Sequence, residues 1–318
     1  MSLSLQNLFQ LAITKQASDL HLSAGQVPLL RIDGELTSTD EALLDNQTLK
    51  KLLFEIMTPE QQEKFTQDLD IDFAYNTHKA RFRINIYHQQ HGIAAAIRII
   101  PATIPTLTSL NLPPIFQTLA EKKHGLVLIT GPTGSGKSTS LAALINHMNH
   151  TQAAHIVTIE DPIEFMHVSL KSLITQREVP RDALSFQHAL RAALREDPDV
   201  ICIAELRDLE TIRLALTAAE TGHLVLATLH TGSAPKSIDR LIDVFPGNEK
   251  EMVRTMLSES LLAVISQQLR KQENGRRRAV FEILVSTPAI RHLIRENKTA
   301  QIYSAMQTGK AMGMCTFD

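Results

Sequence analysis

The sequence has no tryptophan, two cysteines and only 4% aromatic residues. A motor that grips single-stranded nucleic acid needs aromatic platforms set in a basic groove. The aromatic scarcity and a formal net charge of -2 argue against that class, and against any overall pull toward nucleic acid or anionic lipid. Cys202 and Cys315 are too distant to make a disulfide framework or a zinc site, which fits a reducing compartment, and Cys202 reads as core packing. No run of about 18 apolar residues occurs, so nothing is expected to span a bilayer. Met1 to Asn7 lacks a basic start before a long apolar stretch, so the chain is expected to stay in the cytosol.

What is present is an ordinary globular composition, 43% hydrophobic and 21% charged, over 318 residues, a length that suits two domains. The first hundred residues read as a small α/β domain. Leu5 to Ala17 has helical apolar spacing, Asp33-Gly34 marks a two-residue hairpin, and Asp45-Asn46 caps a helix bearing Leu49, Leu52, Leu53 and Ile56. Ala80 to Ile86 alternates as a strand, with Phe82, Ile84 and Ile86 on one face and Arg81, Arg83 and Asn85 on the other. A second strand, Ile93 to Ile99, carries Arg98. Pro101, Pro105 and Pro113-Pro114 then interrupt both helix and strand, which sets the expected division: a domain over 1–100, a linker over 101–121 and a second domain over 122–318. In that second domain, strands are expected at Leu126–Thr130, Ile156–Ile159, Val200–Ala204 and Leu224–Leu229. The stretches between them are long enough for crossover helices, the pattern of a parallel sheet wrapped by helices.

Gly131-Pro132-Thr133-Gly134-Ser135-Gly136-Lys137-Ser138 is a complete P-loop, followed by Thr139. It sits between an apolar strand and a helix, as the mechanism requires. Glycines let backbone N–H groups close around phosphates, and the helix N-terminus adds positive potential. Lys137 is expected to reach the β and γ phosphates of ATP, and Ser138 to ligate Mg²⁺. Asp199 to Glu205 is an apolar strand ending in a carboxylate, so Glu205 can hold Mg²⁺ through water. Glu160, Asp161 and Glu164 follow another strand. One of them can orient or deprotonate the attacking water, while at least one caps a turn before Pro162. His223 and His230 bracket the strand Leu224–Leu229. Either can sense the γ-phosphate, against the competing reading of a strand-end histidine that only packs. Arg81, Arg83 and Arg98 read either as a solvated strand face or as arginine fingers for a nucleotide in an adjacent domain or subunit.

Together these residues resemble the secretion ATPase superfamily that powers type II secretion and type IV pili. The P-loop, the acid box at Glu160–Glu164, Glu205-Leu206-Arg207-Asp208 and the histidine box at Thr221–Thr231 occur in family order. Asp197-Pro198-Asp199-Val200 and Arg207 to Ile212 look like this family, and Ala17 to Leu22 matches the opening of its N-terminal domain. The paired Cys-x-x-Cys zinc site of other branches is lacking, and Ala289-Ile290-Arg291-His292-Leu293-Ile294-Arg295-Glu296 is close to the motif of the retraction branch, with His292 in place of asparagine. Ala204 stands where glycine is common, and Leu206 where methionine is.

The resemblance implies a PAS-like N-terminal α/β domain and a C-terminal RecA-like P-loop ATPase domain with C-terminal helices. It implies a homo-hexameric, ATP- and Mg²⁺-dependent motor for pilus retraction and twitching motility. Its expected partners are an inner-membrane pilus platform protein and a paralogous retraction ATPase, met at the cytoplasmic face of the inner membrane, with no nucleic acid. Catalysis is expected from Glu164 or Glu205, His230 and the three arginines. The alternatives are a RecA- or helicase-type nucleic-acid motor and a non-hydrolysing regulatory partner of a retraction ATPase. The helix from Pro288, capped by Thr287 and with Ala289, Ile290, Leu293 and Ile294 on one face, is expected to couple hydrolysis to movement.

Overall fold

The structure, a computed structural model, describes residues 4–77, 80–101, 103–272 and 277–317. It divides into two units, Met1–Thr103 and Ile104–Asp318.

In the first unit the Ser4 side chain caps α1 (Leu5–Thr14), which buries Leu5, Leu8, Phe9 and Ala12. β1 (Asp19–Ser23), β2 (Leu29–Ile32) and β3 (Glu35–Ser38) follow. The β2–β3 turn places Asp33 at φ 50° and Gly34 at φ 93°, the two positive angles that a type I′ hairpin requires. Asp45 caps α2 (Asn46–Phe54) by accepting from the Gln47 and Thr48 N–H groups. α3 (Pro59–Asp68), with a Thr58/Gln61 capping box, leads to β4 (Asp70–Asn76), β5 (Ala80–Gln89) and β6 (Gly92–Pro101). The antiparallel sheet runs β3-β2-β1-β6-β5-β4. Phe82, Ile84 and Ile86 are buried, and Arg83 and Asn85 lie half-exposed between them. Arg81, read as part of that polar face, is instead buried. Its register neighbours are Asn76 and the buried Ile100, whereas those of the half-exposed Arg83 are Ala74 and the exposed Arg98.

The second unit begins inside the stretch expected to be a linker. Pro113-Pro114 leads into α4 (Ile115–Ala120), and Leu107, Phe116, Leu119 and Ala120 pack into this unit's core. There follow β7 (Gly125–Thr130), α5 (Lys137–Thr151), β8 (His155–Glu160), β9 (Leu173–Glu178), α6 (Phe186–Ala193), β10 (Val200–Ile203), α7 (Leu209–Glu220) and β11 (Leu224–Leu229). α8 (Ala234–Asp243), α9 (Lys250–Ser260), β12 (Leu261–Lys271), β13 (Arg277–Val285), α10 (Pro288–Arg295) and α11 (Ile302–Thr308) complete it.

The sheet order is β13-β12-β7-β11-β10-β8-β9, parallel throughout except for β13. β7, β10 and β11 are buried along their whole length, because helices cover both faces and an unbroken apolar run is then required. Alternate residues feed two cores. Leu126, Leu128, Ile201 and Ile203 join the helices α6 to α10, while Val127, Ile129, Val200 and Cys202 join α4 and α5. The Cys202 thiol, fully packed, has its pKa pushed well up by burial. In α10, capped by Thr287, Ile290 and Ile294 are buried and Leu293 is half-buried. Ala289, expected on that face, is exposed in the first turn. Among the described residues no helix is long and apolar enough to cross a membrane.

Candidate active site

In a parallel sheet the carboxyl ends of the strands share one edge, and ligands bind there. The P-loop follows β7, the acid box follows β8, Glu205 follows β10 and His230 follows β11, so the topology gathers all four at that edge. His223 lies at the opposite end of β11, with Nδ1 3.1 Å from the Ala218 carbonyl, and closes the C-terminus of α7.

The loop is shaped by what lies beneath it. Gly131, at φ 148°, runs so close to β12 that a Cβ would sit 2.2 Å from the Gln267 carbonyl oxygen. Gly136, at φ 88°, is the N-cap of α5, whose first-turn N–H groups have no intrahelical partner. Lys137 Nζ donates to the carbonyls of Gly131 (2.7 Å) and Pro132 (3.1 Å). Burial lowers the Lys137 pKa, opposed by the nearby charges of Glu205 and Glu164. Ser138 is exposed and Thr139 half-exposed on the same first turn.

Across from the loop, Glu205 accepts from Arg207 Nε at 2.8 Å and lies 3.2 Å from His230 Nε2. The other ring nitrogen of His230 is 3.5 Å from both Thr133 Oγ1 and Lys137 Nζ. Glu160 is engaged between β8 and β9. It accepts from Thr158 Oγ1 (2.6 Å) and Gln176 Nε2 (3.0 Å), and desolvation raises its pKa. Gln176 also bonds the Phe165 carbonyl and the His167 N–H, and Glu178 accepts from the Ile163 N–H at 3.0 Å. Two β9 side chains thus hold the backbone on both sides of Glu164. Sequence reading missed Gln176, Glu178 and Gln267, because each acts on a segment distant in sequence and no local pattern announces it.

The arginines lie in the first unit. Arg83 pairs with Asp72 (Nη2 to Oδ2, 2.7 Å) and Arg98 with Asp19 (3.1 Å). Arg83 and Arg98 face each other in the β5–β6 register. Arg81 is buried and engaged.

A phosphate-cradling loop ahead of α5, with carboxylates on neighbouring strand ends, defines a P-loop ATPase with a RecA-like core. The chain belongs to the family of type II/IV secretion system proteins, whose family model matches residues 2–315. It is 53% identical over 317 residues, 99% of this chain and 92% of the relative, to the type IV pilus retraction ATPase PilT of Pseudomonas aeruginosa. A twitching motility protein of Neisseria gonorrhoeae is 54% identical over 293 residues, 92% of this chain and 78% of that one. Among solved structures, the pilus retraction motor PilT with bound ADP superposes with a TM-score of 0.91 at 46% identity, covering 96% of this chain and 90% of that one.

Proposed function

We propose that this chain is the ATP-hydrolysing motor subunit that retracts a type IV pilus and so drives twitching motility. The observation that carries the reading is the convergence of the P-loop, Glu205, the acid box and His230 at one sheet edge, in a chain whose near relatives are named for retraction and twitching.

Lys137, already held at the mouth of the loop, moves from the loop carbonyls to the β and γ phosphates of ATP. Gly131 to Thr139 supplies the cradle: Gly131, Pro132, Thr133, Gly134, Ser135 and Gly136 through the loop, Ser138 and Thr139 through the first turn of α5. A hard cation prefers oxygen ligands, and the exposed Ser138 hydroxyl, Glu205 and the substrate's own phosphate oxygens offer them. Mg²⁺ bound there would neutralise charge on the phosphates. Glu205 or Glu164 orients the attacking water, and His230 links Glu205 to the loop. One or more of Arg81, Arg83 and Arg98 completes a nucleotide site in the working assembly.

That assembly is a homo-hexameric ring at the cytoplasmic face of the inner membrane. It works against an inner-membrane pilus platform protein and alongside a paralogous retraction ATPase. Turnover measured on size-separated oligomers tests the reading. Hydrolysis concentrated in the ring fraction supports it; nucleotide binding without turnover in every fraction would make the chain a regulatory partner instead.

A further inference from the structure

We propose that Gln267 is a positioning residue of the phosphate loop, holding the Ser135–Gly136 peptide so that the Gly136 N–H faces the nucleotide phosphates. The inference rests on the ATPase reading above and assigns a role to a β12 residue far from every motif.

β12 runs parallel to β7, with Ser266 opposite Thr130, so Gln267 arrives directly beneath the start of the loop. Its side chain is buried, 2% exposed, and both ends of the amide are engaged. Nε2 donates to the Ser135 carbonyl at 2.7 Å, and Oε1 accepts from Ser140 Oγ at 2.8 Å. A hydroxyl donor on α5 therefore fixes which way the amide faces. Among the described residues the nitrogen has one acceptor, the Ser135 carbonyl.

Peptide geometry carries the consequence. In a trans peptide the C=O of one residue and the N–H of the next point in opposite directions. Tying the Ser135 oxygen down onto β12 turns the Gly136 N–H up, toward the concave side of the loop. Gly136 has φ 88°, a conformation that favours glycine, and a Cβ there would lie 2.8 Å from Gln267 Nε2. A buried donor that lost this carbonyl would be stranded, which penalises the flipped peptide.

The test compares Gln267→Met, similar in shape but without a donor, with the wild-type chain and with Lys137→Ala. ADP affinity, the ATP KM and kcat, and the melting temperature with and without ADP are measured. Gln267→Met should weaken ADP binding and raise the ATP KM together, by about tenfold or more, as loss of one charge-assisted hydrogen bond implies. Its kcat at saturation should stay within about threefold. Its melting temperature without nucleotide should fall modestly, because the Ser135 carbonyl and the Ser140 hydroxyl lose a buried partner, and the ADP-induced rise should shrink. ADP affinity within about twofold of wild type, or a fall in kcat at unchanged KM, overturns the proposal. Should Gln267→Met fail to fold, Ser140→Ala reads the same quantity by freeing the amide to rotate, and unchanged affinity there also overturns it. If Lys137→Ala binds ADP as the wild type does, the P-loop reading itself falls. If Lys137→Ala is impaired and Gln267→Met is not, only the inference about Gln267 falls.

Discussion

His230 Nε2 lies 3.2 Å from Glu205 Oε1 while its Nδ1 lies 3.5 Å from Lys137 Nζ, so one imidazole spans the gap between the acid and the P-loop lysine. A group so placed can report γ-phosphate loss to Glu205 without holding the nucleotide. His230→Ala should therefore lower kcat by about tenfold to a hundredfold, the scale of a lost charged hydrogen bond, with little change in ADP affinity. Steady-state kinetics paired with ADP titration checks this; equal losses in both would make the residue a binding group.

Glu205 is anchored by Arg207 and His230, whereas the Glu164 carboxylate makes no hydrogen bond or ion pair among the described residues. Glu→Gln exchange at each keeps shape and removes charge. The variant that loses the water-orienting group should bind ATP and retain it unhydrolysed, with turnover down on the order of 10²-fold or more. Single-turnover measurement on both variants assigns the role. Near-normal hydrolysis in both would remove the carboxylates from the chemistry.

Arg83 and Arg98 each hold a partly exposed ion pair, with Asp72 and Asp19. Such pairs contribute only about 0.2–1 kcal/mol, so alanine at either position should barely shift the unfolding midpoint. An arginine finger is worth about 10³- to 10⁵-fold in turnover. A loss of hydrolysis in assembled rings without loss of stability is the expected result for at least one of Arg81, Arg83 and Arg98. Normal turnover in all three variants returns them to a solvated or structural face.

Burial lowers the His167 pKa from 6.5 to about 4. The unfolded chain takes up a proton near pH 6.5 that the folded chain refuses until about pH 4. Stability from this residue is therefore full above pH 6.5 and falls as the pH drops toward 4, by up to roughly 3 kcal/mol. Urea unfolding of the wild type and of His167→Gln at pH 7 and pH 4.5 measures it. The variant should lose less stability between the two values, and identical losses would contradict the assignment.

Contiguous features are legible in the sequence, and features assembled from distant segments are not. β7, β10 and β11 announce themselves as apolar runs because both their faces are buried. The P-loop is readable because its chemistry needs neighbouring residues. β9 escapes notice: it is an edge strand with Thr175, Gln176, Arg177 and Glu178 in half-covered positions, so no hydrophobic pattern marks it. α3 buries only Phe65 and has no apolar stripe, although Thr58-Pro59 and Gln61 are start signals. α4 is too short for periodicity to show, and its Phe116 and Leu119 join a core that the preceding prolines conceal. Arg81 is buried beside Ile100 while Arg83 is half-exposed beside Arg98, a difference set by cross-strand neighbours that no local rule conveys.

The most direct measurement follows fluorescently labelled pili in cells deleted for their own retraction ATPase and supplied with this chain or its Lys137→Ala variant. The wild-type chain should restore pilus shortening, and the variant should leave pili extended. Shortening with both chains, or with neither although both are folded and present at equal levels, would contradict an ATP-driven retraction motor.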